Sequence, residues 1–131
     1  MFQRAAQLLP KDHESHVNFG SALMEAGKPD EAVRCYRRAL KLKPVDAEAH
    51  FNLGSAQMES GKLDEAVLCY RRALKLAPDL FPAHYNLGNV LLDLGELSQA
   101  EAAYRRVVEL KPDFFEAHYN LALAAFQIRD L

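Results

Sequence analysis

The chain has little excess charge of either sign. Its 131 residues carry a formal net charge of −2, which gives no argument for a nucleic-acid or anionic-membrane partner. No apolar run approaches the roughly 18 residues that a membrane-spanning helix needs. The opening MFQRAAQLLP is too short and too polar for a secretory signal. Cysteine is scarce. Cys35 and Cys69 are the only two, and their spacing fits neither a zinc pattern nor a short redox motif. Read as half-buried small apolar residues with free thiols, they fit a reducing compartment, so a cytoplasmic location is expected. There is no glycine-rich phosphate loop, no nucleophile elbow and no His-Glu-x-x-His. No catalytic residues, metal or cofactor are therefore expected, and the chain is not expected to be an enzyme.

What the chain has is recurrence. SHVNFGS (15–21), AHFNLGS (49–55), AHYNLGN (83–89) and AHYNLAL (117–123) place Asn18, Asn52, Asn86 and Asn120 at intervals of 34 residues. Pro10, Pro44, Pro78 and Pro112 keep the same interval, as do Gly27, Gly61 and Gly95, and Tyr36, Tyr70 and Tyr104 with Phe2 one period earlier. Each period reads as two helices, such as 47–60 and 64–76. Gly61 suits the left-handed residue after a helix. Asp30, Asp64 and Ser98 are placed to N-cap the second helices, and Asp12 and Asp46 the first ones. Pro78 ends a second helix, and Pro82 falls in a first turn, where proline is tolerated. Ala66, Tyr70, Ala73 and Leu74 form a helical stripe. Gly20, Gly54 and Gly88 leave room on the facing helix for the tyrosine ring. One such pair cannot bury its apolar surface, but stacked pairs can, which predicts a solenoid.

The 34-residue period, Leu53-Gly54, Ala66, Tyr70, Ala73 and Pro78 resemble the tetratricopeptide repeat. The resemblance covers 1–131 as a single array. Three full repeats occupy 13–46, 47–80 and 81–114. A trailing second helix (2–9) precedes them and a leading first helix (115–131) follows. It implies an all-α fold, a right-handed α-solenoid of stacked antiparallel helix pairs with about eight helices, whose first helices line a concave, ligand-binding side. The departures are local. Where the family has a first-helix tryptophan this chain has His16, His50, His84 and His118. Val107 replaces the alanine of Ala39 and Ala73, Ala122 replaces a glycine, and Arg129 stands at the loop-glycine position.

Each first helix carries a second, mixed face beside its core face. In the second repeat Glu48, Phe51, Asn52, Ser55, Met58 and Glu59 share it, while His50, Leu53, Gly54 and Gln57 lie on the core side. Across repeats it reads as rows: the four asparagines; Val17, Phe51, Tyr85 and Tyr119; Ser21, Ser55, Asn89 and Leu123; Met24, Met58, Leu92 and Phe126. The margins hold Glu14, Glu48, Glu116, Glu25, Glu59 and Asp93. A carboxamide both donates and accepts, so a row of them can bond the backbone of an extended peptide, with aromatic and methionine neighbours adding tolerant apolar contact. The row resembles the asparagine ladder in the repeat region of O-GlcNAc transferases. The competing reading has the asparagines bonding neighbouring helices and fixing repeat geometry. The aromatic row is a contact surface that the core can be built without. Some family members clamp a peptide's carboxylate with basic residues, but Val17, Pro82 and Asn86 occupy the matching places here. With an acidic margin, the expected peptide is neutral or basic.

Other signals read as structural. The histidine row cannot converge on a metal, because successive repeats are roughly 10 Å apart. His13 and His16 are three residues apart but have no third ligand. Arg37-Arg38, Arg71-Arg72 and Arg105-Arg106 form a solvated outer ridge, with Glu101 and Arg105 paired at i, i+4, and aromatics do not interleave it as single-strand binding would need. The last helix presents Leu121, Ala125, Phe126, Ile128 and Leu131 without a covering second helix. Two readings follow: a fragment of a longer protein, or head-to-tail self-association through the open ends. The leading function is a non-enzymatic scaffold holding a peptide. The alternative is a substrate-recruiting arm of a larger enzyme such as an O-GlcNAc-transferase-like glycosyltransferase.

Overall fold

The computed structural model of the chain describes residues 12–130. The helix expected over 2–9, with Phe2, Pro10 and Leu131, lies outside the described residues. Among the described residues there are seven α-helices and no strand. They fall into two compact units that divide between Leu76 and Ala77. The first holds α1 (His13–Glu25), α2 (Pro29–Leu42), α3 (Ala47–Glu59) and α4 (Leu63–Leu76). The second holds α5 (Phe81–Asp93), α6 (Leu97–Leu110) and α7 (Phe115–Arg129). Within each unit every helix packs on the next in sequence, as short connections between antiparallel helices require.

Each helix pair is built around one ring. Tyr36, Tyr70 and Tyr104 are almost wholly buried and lie against Gly20, Gly54 and Gly88 of the facing helix. A Cβ at Gly20 or Gly88 would stand 2.7 Å from Cε1 of its tyrosine, and one at Gly54 would stand 3.0 Å from Tyr70. The expected glycine seats are therefore real, and there is no spare space in them. Alanines complete the packing: Ala32, Ala39, Ala66, Ala73 and Ala100 are fully buried, and Val107 fills the alanine position of α6 without exposure. Cys35 and Cys69 are free thiols and fully buried, not half-buried. Burial pushes both thiols above their ordinary range.

The turns inside each pair are identical in kind. Gly27, Gly61 and Gly95 have φ of +75°, +79° and +79°, the left-handed conformation that glycine alone adopts freely. Gly27 N–H donates to Met24 O at 3.0 Å and Lys28 N–H to Leu23 O at 2.8 Å, with the same pair of bonds after α3 and α5. This is a Schellman termination. The residue that closes it is also the N-cap of the next helix: Lys28 for α2 and Glu96 for α6, neither with a side-chain cap bond. Asp30, Asp64 and Ser98 are thus not the N-caps expected of them. They lie inside the first turn, where the carboxylates of Asp30 and Asp64 still face the positive end of the helix dipole.

Between pairs the two units differ. Asp12 accepts from the Glu14 and Ser15 amides, and Asp46 from the Ala49 amide, so both cap as expected. The corresponding Leu80 and Phe114 cap nothing with their side chains. Pro82 sits in the first turn of α5. The histidine row bonds back to the segment that enters each first helix: His50, His84 and His118 donate through Nε2 to the carbonyls of Pro44, Pro78 and Pro112 at 2.9, 2.9 and 2.7 Å. His16 is buried. His13 adds a cross-tie, with Nδ1 on Ala39 O at 2.9 Å and Nε2 on Asp46 Oδ2 at 2.7 Å.

Two tests follow. Gly88→Val should lose stability in urea melts near the upper end of the ~1–3 kcal/mol range for overpacking. Gly95→Ala, with nothing within 4 Å of its Cβ, should lose only the left-handed term of about 1–2 kcal/mol. Equal losses would refute the seat. Burial works to raise the Asp46 carboxyl, but the bonds from the Ala49 amide and from His13 outweigh it and hold its pKa below the ordinary 3.8. Its stabilisation is therefore complete above that value and is lost as pH falls below it. Asp46→Asn keeps a good cap and should flatten that acid limb; an unchanged pH profile would count against the bond.

Candidate peptide-binding faces

The first-helix faces belong to two units, Asn18 and Asn52 to one and Asn86 and Asn120 to the other. In the first unit Asn18 is exposed and Asn52 half-buried, and the acidic margins Glu14, Glu25, Glu48 and Glu59 are exposed. The apolar row beside them is not independent of the core. The Phe51 ring lies 5.8 Å from that of Tyr70, tilted by 50°. Ser55 Oγ is 3.0 Å from the Tyr70 hydroxyl, which also donates to Met58 Sδ at 3.9 Å. Val17 and Met24 pack against the cluster around Ala32, Tyr36 and Leu53, and Ser21 Oγ meets the Tyr36 hydroxyl at 3.1 Å. The expectation that the core could be built without this row is corrected: one edge of it seals the tyrosine seat.

In the second unit the same positions form a polar network. Tyr104 donates to Asn89 Oδ1 at 2.6 Å. Asn120 Nδ2 donates to Asn89 Oδ1 and to the Tyr85 hydroxyl, each at 3.3 Å. Burial, with the nearby Tyr85 and Asp93 adding to it, drives Tyr104 far above the ordinary phenol range, so its hydroxyl remains a donor. The Tyr85 ring is 6.0 Å from Tyr104 and 4.9 Å from Phe114, edge-on to the latter. Phe114 also meets Phe81 at 5.8 Å, and Lys111 sits 5.4 Å above the Phe81 ring. Sequence reading missed Phe114. Its signal was the apolar residue at the position where Asp12 and Asp46 cap. Leu92 and Asn86 are half-buried, while Phe115, Tyr119 and Phe126 of α7 are 74, 70 and 68 % exposed.

The asparagine row therefore divides. Asn120 bonds an adjoining helix, as the structural reading required. The side chains of Asn18, Asn52 and Asn86 have no hydrogen bond among the described residues. Elsewhere Arg105 pairs with Glu101 at 3.5 Å, Arg37 with Glu65 at 3.5 Å, and Arg106 with Asp79 at 3.1 Å. Among the described residues no group of three or more His, Cys, Asp and Glu could hold a metal, and no helix is long and apolar enough to cross a membrane. Asn120→Ala should cost about 1 kcal/mol or more, since it removes two bonds at once. Asn52→Ala, which also gains helix propensity, should cost nothing. Equal effects in urea melts would erase the division.

Models of the tetratricopeptide repeat match residues 17–80 and 69–102, and a TPR repeat model matches 88–128. No curated protein sequence matches the chain. Among solved structures, a crystal structure of MamA superposes with TM-score 0.93 at 28% identity, covering 98% of this chain and 77% of that one. The first TPR of Spaghetti (RPAP3), bound to the HSP90 peptide SRMEEVD, gives 0.86 at 26%, covering 89% and 93%. YrrB, a TPR protein with an unusual peptide-binding site, gives 0.84 at 25%, covering 94% and 63%. With helices that keep the 34-residue period and seat one tyrosine per pair, the chain belongs to the tetratricopeptide repeat family, and its fold is that family's all-α solenoid of helix pairs.

Proposed function

We propose that the chain is a non-enzymatic protein-interaction module whose first helices bind extended peptide segments. The observation that carries this reading is the state of Asn18, Asn52 and Asn86. Each presents an amide donor and acceptor to at least partial solvent, and the fold leaves these groups free. A buried or half-buried carboxamide kept for geometry is normally bonded, as Asn120 is. Two structural neighbours add support: the RPAP3 domain holds a peptide, and YrrB has a peptide-binding site.

In this reading Asn18, Asn52 and Asn86 grip peptide backbone. Phe51 and Tyr85 are rigid apolar flanks held by the tyrosine seats, and Met24, Met58 and Leu92 extend the apolar strip. Ser55, Asn89 and Asn120 position those flanks by bonding tyrosine hydroxyls or one another. The exposed Glu48 and Glu59 set the charge of the ligand. The RPAP3 neighbour binds a peptide rich in carboxylates, whereas the acidic margin here favours neutral or basic segments.

Peptide-array binding tests this. Asn52→Ala and Asn86→Ala should each weaken peptide binding about 3–10-fold, the worth of one net hydrogen bond, with helicity unchanged. Tyr85→Ala should weaken it as well and also destabilise the second unit. Undiminished binding in all three variants would remove these faces from the proposal.

A further inference from the structure

We infer that Asn89 and Asn120 of the second unit form a hydrogen-bond site of fixed polarity for one residue of an extended peptide, with Asn89 Nδ2 donating to its carbonyl and Asn120 Oδ1 accepting from its N–H. This deepens the peptide-binding reading, on which it rests. The starting point is a break in the repeat. Position 89 is Asn, while the equivalent residues are Ser21, Ser55 and Leu123. Each serine pairs the buried tyrosine hydroxyl of its own helix pair, so a serine at 89 would satisfy Tyr104 as well. Asparagine brings a second polar end that Tyr104 does not need.

The network sets which end faces which way. The Tyr104 ring is fully buried. Its hydroxyl keeps its proton and donates to Asn89 Oδ1 at 2.6 Å. Turning the Asn89 amide over would leave that proton without an acceptor and set the Asn89 amino group against that of Asn120. Asn120 is fixed in turn. Its Nδ2 reaches Asn89 Oδ1 and the Tyr85 hydroxyl, each at 3.3 Å, which spends both amino hydrogens. Turned over, its oxygen would face the Asn89 oxygen. A carboxamide donates at one end and accepts at the other, so what the network leaves over is Asn89 Nδ2 as donor and Asn120 Oδ1 as acceptor. Neither atom has a partner among the described residues, and neither is one of the buried unpartnered atoms. Both therefore reach solvent.

One outward donor beside one outward acceptor selects the ligand group. A carboxylate only accepts and would meet Asn120 Oδ1. An ammonium only donates and would meet Asn89 Nδ2. A residue in an extended chain offers its N–H and C=O together along one edge, as it does to a neighbouring strand. Asn86 lies one turn before Asn89 on α5, and the Tyr85 ring is held edge-on by Phe114. Both are within reach of a segment bonded at Asn89 and Asn120.

The test is a titration of the isotope-labelled full chain, followed by NMR, with the tightest array peptide that contains neither Asn nor Gln. The pair of side-chain amide signals that Asn89→Ser removes should move downfield at saturation. Asn89→Asp keeps the oxygen that Tyr104 and Asn120 bond but replaces the outward donor with an acceptor. Asn89→Ser keeps a partner for Tyr104 but ends short of the peptide. Each should weaken that peptide about tenfold with helicity unchanged. One variant is charged and the other neutral, so a loss in both is not a charge effect. Undiminished binding in either variant, or unmoved Asn89 signals at saturation, overturns the inference. So does a need for Asn or Gln in the peptide, which would make a side-chain amide the occupant. Asn86→Ala separates this site from the asparagine row. If it leaves binding whole while both Asn89 variants lose it, the row fails and this site stands; the reverse result removes this site alone, and an array with no binding peptide removes both.

Discussion

The contact on which everything else depends is a tyrosine ring pressed against a glycine backbone. In each helix pair the ring fills the gap that the absent Cβ leaves, and a methyl group there would overlap ring carbons. This brings two helices closer than side chains on both would permit. It also buries a hydroxyl that must be paired, and so it dictates a neighbour: Ser21, Ser55 or Asn89 one residue after the glycine. The face proposed to bind peptide is thus decided partly by what the ring needs. Phe51 and Tyr85 lean on the seats from outside, which makes them rigid without a dedicated support.

The two units solve the entry to each first helix differently. In the first, aspartates accept orphan amides, and Asp46 is tied back to α1 through His13. In the second, the cap position is given to Leu80 and Phe114, and an aromatic group of Phe81, Phe114 and Tyr85 takes over the cross-tie. One unit is polar at this joint and the other apolar. The same contrast recurs at the seat, where serine meets tyrosine in the first unit and a four-residue amide–phenol network does so in the second.

Most of the fold could be read from the chain because its determinants repeat. Gly54 with Tyr70 and Gly61 after a helix have local physical reasons that survive in each helix pair, and Asp46 before a helix shares its reason with Asp12. The misreadings share a cause. Asp30, Asp64 and Ser98 looked like caps because capping residues are defined by type, whereas the turn geometry hands that place to the residue that closes the Schellman bond. Asn120 was legible as a member of a row, but its partners Tyr85 and Asn89 lie 35 and 31 residues away, and no periodicity announces a bond between unlike positions. Gln57 was counted with the core on its spacing, correctly, but its unpaired oxygen becomes visible only when its surroundings are known.

The histidine that donates to the proline carbonyl six residues before it has a consequence for ancestry. One bond before each of α3, α5 and α7 runs between residue types that recur, the histidine and the proline carbonyl, and the glycine seat and Schellman turn close within a period. Copying or deleting a whole 34-residue block therefore keeps these three devices in register, while an insertion of any other length breaks them. Such a chain changes length by quanta. Residues that lack counterparts in other copies, Gln57 and Phe114 among them, mark where individual blocks diverged after duplication.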